Sequence, residues 1–144
     1  MNQALVIEKM NTTMTANEFS HCQTTEEIVE MIYQQTLHTL QTNPQIQREI
    51  GTAPYAKERL EYLSKEESNV EMLLELYQTA QLIPHLMEVE KEAQTMGVIL
   101  EQQLIQEWNL TEELKSKDML KWTAQMNNLR SSIKEQVRYN LIYI

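Results

Sequence analysis

Apolar side chains recur at helical spacing over most of the chain. The clearest stripe advances by three or four residues along the C-terminal part, through Met119, Trp122, Met126, Leu129, Ile133, Val137 and Leu141. Two further stripes run through Val70, Leu73, Leu74 and Tyr77, and through Leu86, Ala93, Gly97, Leu100, Leu104 and Trp108. Because residues three and four apart share one side of an α-helix, each stripe predicts an amphipathic helix with one buried face.

Local signals predict where the helices begin and end. Thr24 followed by Glu27 has the capping-box spacing, so we expect a helix over residues 24–41. The other predicted boundaries are marked by a proline or a capping pair: Pro44, Pro54, Pro84, and Asn109 with Glu112. Residues 55–80 could form one helix, or two with a break near Ser64 or Ser68. Gly97 is unfavourable within a helix, so we expect a close helix crossing there.

Only two glycines and three prolines are present, too few to supply the turns of an all-β protein of 144 residues. We therefore predict an all-α fold, a compact antiparallel helical bundle of about five helices. Residues 1–23 are expected to form an N-terminal arm and residues 24–144 a single helical domain. The apolar end, residues 140–144, should dock onto the fold.

Charge is distributed unevenly along the chain, whose net charge is −9. Residues 1–57 carry net −3, residues 58–113 net −10 and residues 114–144 net +4. The acidic stretch predicts an acidic face for a basic partner, formed by Glu58, Glu61, Glu66, Glu67, Glu71, Glu75, Glu88 and Glu92. An ordinary solvated helix surface would show the same pattern, so both interpretations stay open. The alternative is a basic face of Lys117, Lys121, Lys134 and Arg138.

The sequence contains no recognisable catalytic arrangement. The single cysteine, Cys22, excludes an internal disulfide and a cysteine-based zinc site. Its neighbour His21 is not expected to act as its base, because adjacent residues rarely reach nucleophile–base geometry. His38 and His85 are isolated, and Glu88, Glu90 and Glu92 alternate in direction along a helix. We therefore predict no enzyme activity, no cofactor and no metal. A cytoplasmic location is expected, because a single cysteine fits a reducing compartment. No membrane span is expected, because no apolar stretch approaches 18 residues.

Aromatic and polar side chains in the last helices allow two interpretations each. Trp108 and Trp122 sit on apolar stripes, which favours a place in the core over a base-stacking role. Gln125, Asn127, Asn128 and Arg130 lie beside the apolar stripe. Two consecutive asparagines in a helix suggest that one amide satisfies a buried polar group. A contact with a partner is the alternative.

Segments of the second half resemble the TnpV family, small proteins encoded by transposons of Firmicutes. They are Leu110-Thr111-Glu112-Glu113-Leu114-Lys115, Asp118, Trp122, Met126-Asn127-Asn128-Leu129-Arg130, Glu135 and Leu141-Ile142-Tyr143, with Leu82-Ile83-Pro84-His85-Leu86 upstream. The likeness covers about residues 50–144. It implies a mobile-element context and no particular activity. Relatives tend to be basic after the Ile-Gly pair, whereas in residues 52–69 of this chain the acids outnumber the bases.

These observations favour a non-enzymatic accessory protein that binds and inhibits or modulates a nucleic-acid-handling protein, such as a nuclease. An anti-CRISPR or other anti-defence role, with carboxylates standing in for DNA phosphates, would be one form. The alternative is a DNA-binding or transposition-accessory protein that uses the basic C-terminal helix. Net negative charge opposes direct nucleic-acid binding. The wide apolar stripes also make a homodimer plausible.

Overall fold

The computed structural model describes residues 24–144, so the predicted arm over residues 1–23, with His21 and Cys22, lies outside the described residues. Every regular element within residues 24–144 is helical, which confirms the all-α prediction. The α-helices number seven in this part, against the five or so expected. They are α1 (Thr25–Thr42), α2 (Pro44–Ile50), α3 (Pro54–Lys65), α4 (Val70–Gln78), α5 (Leu82–Glu107), α6 (Glu112–Lys117) and α7 (Met119–Val137). A 3-10 turn (Glu67–Asn69) follows α3, and a π-helical segment (Arg138–Ile142) follows α7.

The chain divides into two compact units, and the boundary falls inside α5. The first unit ends at Glu90 and the second spans Lys91–Ile144. The single domain expected over residues 24–144 stays a prediction.

In the first unit, α1 begins after the predicted cap Thr24 and ends at Asn43 as expected, whereas α2 is a further helix that the sequence did not predict. The Glu27 backbone N–H donates to Thr24 Oγ1 at 3.2 Å, which satisfies one of the free donors of the first turn. Asn43 ends α1, and its side chain accepts hydrogen bonds from the backbone N–H groups of Gln45 and Ile46 to open α2. Pro44 takes the first position of α2, where its missing N–H costs no hydrogen bond.

Residues 55–80 form two helices, which settles the question left open by the sequence. α3 ends at Lys65, and the 3-10 turn leads directly into α4. The Asn69 backbone N–H donates to the Glu66 carbonyl at 2.9 Å, which closes this turn. The α4 stripe then buries Val70, Leu73 and Leu74.

The core of the first unit lies between α1, α3 and α4, with the first turns of α5 completing it. Side chains from each of these helices are fully buried, including Ile32, Leu60, Leu63, Leu73 and Leu86. At ~25 cal/mol per Å² of apolar surface, each such side chain stabilises the fold by about 1.5–3 kcal/mol. The Tyr77 hydroxyl also donates to Gln35 Oε1 at 3.0 Å, which joins α4 to α1 at the surface.

In the second unit, the apolar stripe predicted for α7 is buried in its middle but exposed at its start. Met126, Leu129, Ile133 and Val137 are buried, whereas Met119 is 53% exposed. Ile142 is fully buried, as expected for a docked C-terminus, but Tyr143 and Ile144 after it are exposed. The expectation of two core tryptophans is wrong for Trp108, which lies at the surface.

Two predicted helix starts need correction. α5 begins at Leu82, two residues before Pro84, which still lies in the first turn where N–H groups have no helical partner. Asn109 does not cap α6. Thr111 does, because its hydroxyl accepts from the Leu114 N–H at 3.1 Å.

Asn109 instead ends α5 in the left-handed conformation. Its φ is 58°, and the N–H of Leu110 donates back to the Ile105 carbonyl at 3.0 Å. Ala80 ends α4 in the same way, with φ 59° and a bond from the Gln81 N–H to the Leu76 carbonyl. Both are Schellman-type ends made without glycine.

Gly97 does not need to be glycine for steric reasons. A Cβ at this position would lie 3.8 Å from Ile133 Cγ2, an ordinary van der Waals distance, so the expected close crossing does not explain it. Gly51 differs, because its φ of 64° lies in the left-handed region.

Substitution by alanine should therefore change the free energy of unfolding in opposite directions at the two glycines. Gly97→Ala should raise the free energy of unfolding by about 0.5–1 kcal/mol, because alanine loses less backbone entropy within a helix. Gly51→Ala should lower it by about 1 kcal/mol, because a Cβ is strained at positive φ. Urea denaturation of both variants checks this. Destabilisation by Gly97→Ala would contradict the ordinary van der Waals distance from a Cβ at this position to Ile133.

Candidate functional site

The predicted acidic face lies mainly on the first unit. Glu58 and Glu61 are half-buried on α3, three residues apart and on one side of the helix. Glu92 belongs to the second unit. The remaining members are exposed in the first unit, and they are Glu66, Glu67, Glu71, Glu75 and Glu88.

Charge separates sharply between the two units. Residues 24–90 contain twelve acidic and four basic residues, a net charge of −8. Residues 91–144 contain seven of each, a net charge of zero. An acidic surface is therefore a property of the first unit, and the smaller basic excess of residues 114–144 is balanced within the second.

A groove of about 420 Å³ on the first unit is the clearest candidate site. Its walls come from α1, the end of α3, the 3-10 turn and the start of α4. The lining residues are Thr25, Glu26, Val29, Glu30, Tyr33, Ser64, Lys65, Glu67 and Val70. Val29 and Val70 are buried and form an apolar floor, whereas three exposed carboxylates, Glu26, Glu30 and Glu67, stand at the edge.

The one basic residue lining the groove is held by a neighbouring acid. Lys65 Nζ forms an i, i+4 ion pair with Glu61 on α3. The hydrogen bond and the negative charge of Glu61 both raise the pKa of Lys65. The groove edge therefore keeps its excess of negative charge.

Only part of this site was predictable from the sequence. Glu67 belongs to the predicted acidic face, but Glu26 and Glu30 do not, because they lie on a distant helix with its own charge pattern. Only the packing of α1 against α3 brings the three carboxylates to one groove.

The predicted basic face does not form a single surface. Lys117 lies on α6, where its Nζ is 2.7 Å from Glu113 Oε1, and Arg138 begins the π-helical segment. Lys121 and Lys134 lie on α7, but at 100° per residue they point about 140° apart. Lys134 and Arg138 are four residues apart and share one side, whereas Lys121 points away from them, so the four bases do not lie on one helix face.

The family-like motif of α7 divides into buried and exposed positions. Met126 and Leu129 are buried, whereas Asn127, Asn128 and Arg130 are exposed. Both asparagines are exposed, so the structure gives no support to the expectation that one of their amides satisfies a buried polar group. The motif also includes Tyr143, which is 51% exposed, and Trp122, whose ring centroid lies 4.7 Å from Lys115 Nζ.

Glu90 is a fully buried carboxylate that the sequence analysis did not identify as structural. It lies on α5, and its Oε1 accepts a hydrogen bond from the backbone N–H of Tyr55 at 3.2 Å. Tyr55 is the second residue of α3, whose N-cap, Ala53, offers no capping side chain. Glu90 therefore caps α3 from another helix. The sequence did contain one signal of this cap. Pro54 predicted a helix start, and no capping residue preceded it.

Burial raises the pKa of Glu90, and the N–H groups of Tyr55 and Ala56 oppose that shift only in part. Hydrogen bonds and the positive end of a helix favour the carboxylate, whereas removal from water favours the neutral acid. Oε2 has no hydrogen-bond partner among the described residues. Desolvation is thus the larger influence at this position.

A second buried group lies on the same two helices. Arg59 is 3% exposed, and its Nε donates to His85 Nε2 at 3.4 Å. Burial and the charge of Arg59 both lower the pKa of His85, and Glu88 opposes them. His85 is therefore a neutral acceptor near pH 7, and not the isolated residue that the sequence suggested.

No set of three or more His, Cys, Asp or Glu side chains is arranged to hold a metal ion in the part of the chain that the structure describes. Across residues 24–144, no helix has the length and apolar character needed to cross a bilayer. The acid-edged groove, the buried Glu90 cap and the Arg59–His85 contact are the features of the first unit that carry polar chemistry.

The buried cap predicts a specific pH dependence. The folded protein holds the Glu90 proton more tightly than the unfolded chain, whose ordinary glutamate pKa is 4.5. Its contribution to stability is therefore present below that pH and is lost as pH rises through the higher folded-state pKa. Glutamine cannot lose a proton, so the Glu90→Gln variant keeps this contribution at high pH. The free energy of unfolding of the variant should therefore rise relative to that of wild type between pH 4.5 and pH 8.

Urea denaturation across this pH range measures the difference. Glu92→Gln, which removes an exposed carboxylate from the same helix, is the control. A difference between Glu90→Gln and wild type that stays constant with pH would contradict the raised pKa. Glu90→Ala, which leaves the Tyr55 N–H without its acceptor, should cost about 0.5–2 kcal/mol.

A family model described as transposon-encoded protein TnpV matches residues 39–142. The match begins near the end of α1, somewhat before the resemblance seen in the sequence, and it leaves most of α1 outside. No curated protein and no solved structure matches the chain significantly. Since the family model covers more than half of the sequence, the chain belongs to the TnpV family of transposon-encoded proteins.

Proposed function

We propose that this protein is a non-enzymatic accessory factor of a transposon, which binds and modulates a nucleic-acid-handling protein through the acidic surface of its first unit. The observation that carries the proposal is the net charge of −8 on residues 24–90, with three exposed carboxylates around one groove. Family membership supports the mobile-element setting.

The groove fits a basic segment that also carries an apolar side chain. Glu26, Glu30 and Glu67 would attract lysine or arginine, and complementary charge speeds association and excludes acidic competitors. Val29 and Val70 would receive the apolar side chain, since burial of such an anchor supplies most of the affinity of a small interface.

Occupying such a basic surface would keep nucleic acid away from it. An acidic protein that presents carboxylates where phosphates bind can compete with DNA or RNA for the same residues. Inhibition of a host-defence nuclease, including a CRISPR effector, is one form of this activity. The divided basic residues of the second unit give less support to direct DNA binding.

A charge-reversal pair tests the proposal. The groove variant reverses the charge of the groove edge and carries Glu26→Lys, Glu30→Lys and Glu67→Lys. The second-unit variant makes the same change in net charge with Glu107→Lys, Glu112→Lys and Glu135→Lys. The tagged proteins are used to capture nucleases and CRISPR effectors of a Gram-positive host. Captured proteins are then assayed for nucleic-acid cleavage.

We expect wild type and the second-unit variant to capture and inhibit the same target. The groove variant should bind at least about tenfold more weakly, and binding by wild type should weaken as salt rises. Equal loss of binding in both variants would show that net charge alone matters. Absence of any binder among these enzymes would contradict the proposal.

A further inference from the structure

The start of α7 presents an apolar side chain among basic residues. Leu120, the second residue of α7, is 85% exposed, more than any other large apolar side chain that the structure describes. Residues 115–121 contain three bases, Lys115, Lys117 and Lys121, and one acid, Asp118. No other seven-residue stretch within residues 24–144 contains as many bases. We call residues 115–121 the basic segment.

The charges of the basic segment can be given to a partner at small cost. Lys117 Nζ lies 2.7 Å from Glu113 Oε1, but both side chains are more than 70% exposed. Such a surface pair contributes about 0–1 kcal/mol, so another carboxylate can replace Glu113. Lys121 is exposed, and Asp118 is engaged at the start of α7, where it accepts from the Lys121 backbone N–H at 3.1 Å. The segment therefore offers a net charge of +2 beside an exposed leucine.

The acid-edged groove of the first unit has the complementary composition. Three exposed carboxylates stand at its edge, and Val29 and Val70 form its apolar floor. The carboxylates match the three lysines of the basic segment in number and are opposite in charge. The floor can receive the Leu120 side chain, which would remove its apolar surface from water.

We infer that the basic segment of one copy of the chain docks in the acid-edged groove of a second copy, in a head-to-tail contact. The inference rests on the proposed function for the kind of ligand that the groove takes, a basic segment with an apolar anchor. The chain then carries a ligand for its own groove. Self-association would compete with the target protein, so the groove would open to the target as the protein becomes dilute.

Charge favours this pairing of unlike surfaces over a pairing of like ones. The first unit carries −8 and the basic segment +2, and opposite charges steer two surfaces together. Two grooves, or two basic segments, would instead meet with charges of the same sign. A head-to-tail contact leaves one groove and one segment free on each pair, so further copies can add until a ring closes.

Sedimentation of the full chain tests the contact. Wild type should associate as its concentration rises, and less so as salt is added. The segment variant carries Lys117→Glu, Leu120→Glu and Lys121→Glu. This variant and the groove variant should each raise the dissociation constant of self-association by about tenfold or more.

Each variant has a control with the same change in net charge. The second-unit variant is the control for the groove variant. The segment control carries Val98→Glu, Arg130→Glu and Lys134→Glu, at exposed positions of the second unit outside the basic segment. Both controls should associate as wild type does.

Mixing the two defective variants identifies a head-to-tail contact. The groove variant keeps an intact basic segment, and the segment variant keeps an intact groove. An equimolar mixture should therefore form a one-to-one complex, although neither variant associates alone. Circular dichroism establishes that each variant is helical before mixing. Leu120→Ser, a milder change that should weaken self-association by about threefold or more, replaces the segment variant if that variant does not fold.

Three results would overturn the inference. Wild type could be monomeric at every concentration that stays in solution, as it would be if the groove were filled from within the same chain. The segment control could lose association as fully as the segment variant does. The mixture of the two defective variants could also stay monomeric.

The capture experiment separates this inference from the proposed function. The segment variant keeps the groove, so it should capture the same target as wild type, and at least as strongly. A restored complex in the mixture without capture of any nuclease would contradict the proposed function alone. Capture of a nuclease by a wild-type protein that is strictly monomeric would contradict self-association alone.

Discussion

The alignment of α5 on α3 in the first unit depends on one long-range contact, the hydrogen bond from the Tyr55 N–H at the α3 N-terminus to the Glu90 carboxyl group. α3 begins after Ala53, which is left-handed, fully buried and without a capping side chain. Its free N–H groups must find an acceptor away from water, and α5 supplies one. The requirement fixes the register of α5 against α3, because a shift of one residue would replace Glu90 by Val89 or Lys91.

This register also explains the other buried polar contact. Arg59 and His85 lie on the same two helices, and a fixed alignment lets a half-buried imidazole accept from a buried guanidinium. Both contacts place polar groups inside an otherwise apolar core. Each costs desolvation energy that an apolar pair would avoid, and in return each is satisfied by only one arrangement of the helices.

Local physics made much of the fold predictable from sequence. The spacing of Leu129, Ile133 and Val137 on one side of a helix follows from its 3.6-residue period, and Thr24 caps α1 by a bond within four residues. Asn109 was misassigned because asparagine serves equally well at a helix start and in a left-handed helix end. The structure decides by the bond from Leu110 back to Ile105.

The candidate sites were less predictable because they depend on contacts between distant segments. In the sequence, Glu90 does not differ from its neighbours Glu88 and Glu92. Only the packing of α3 against α5 shows that its carboxyl group caps a helix. Glu26 and Glu67 are far apart in sequence, and no local rule joins them. Trp108 and Met119 fit apolar stripes yet reach the surface, since the neighbours that would cover them are not specified by helical spacing.

The acidic groove combines one edge on a 3-10 turn with a floor on regular α-helices. Glu67 stands on this three-residue turn, whose hydrogen bonds are poorer than those of an α-helix, while Val29 and Val70 sit in regular helices within the core. The Glu67 edge of the groove is therefore held by weaker backbone hydrogen bonds than its floor. Such a surface would discriminate among ligands by the size of the apolar side chain, and it would tolerate variation in where their positive charges lie.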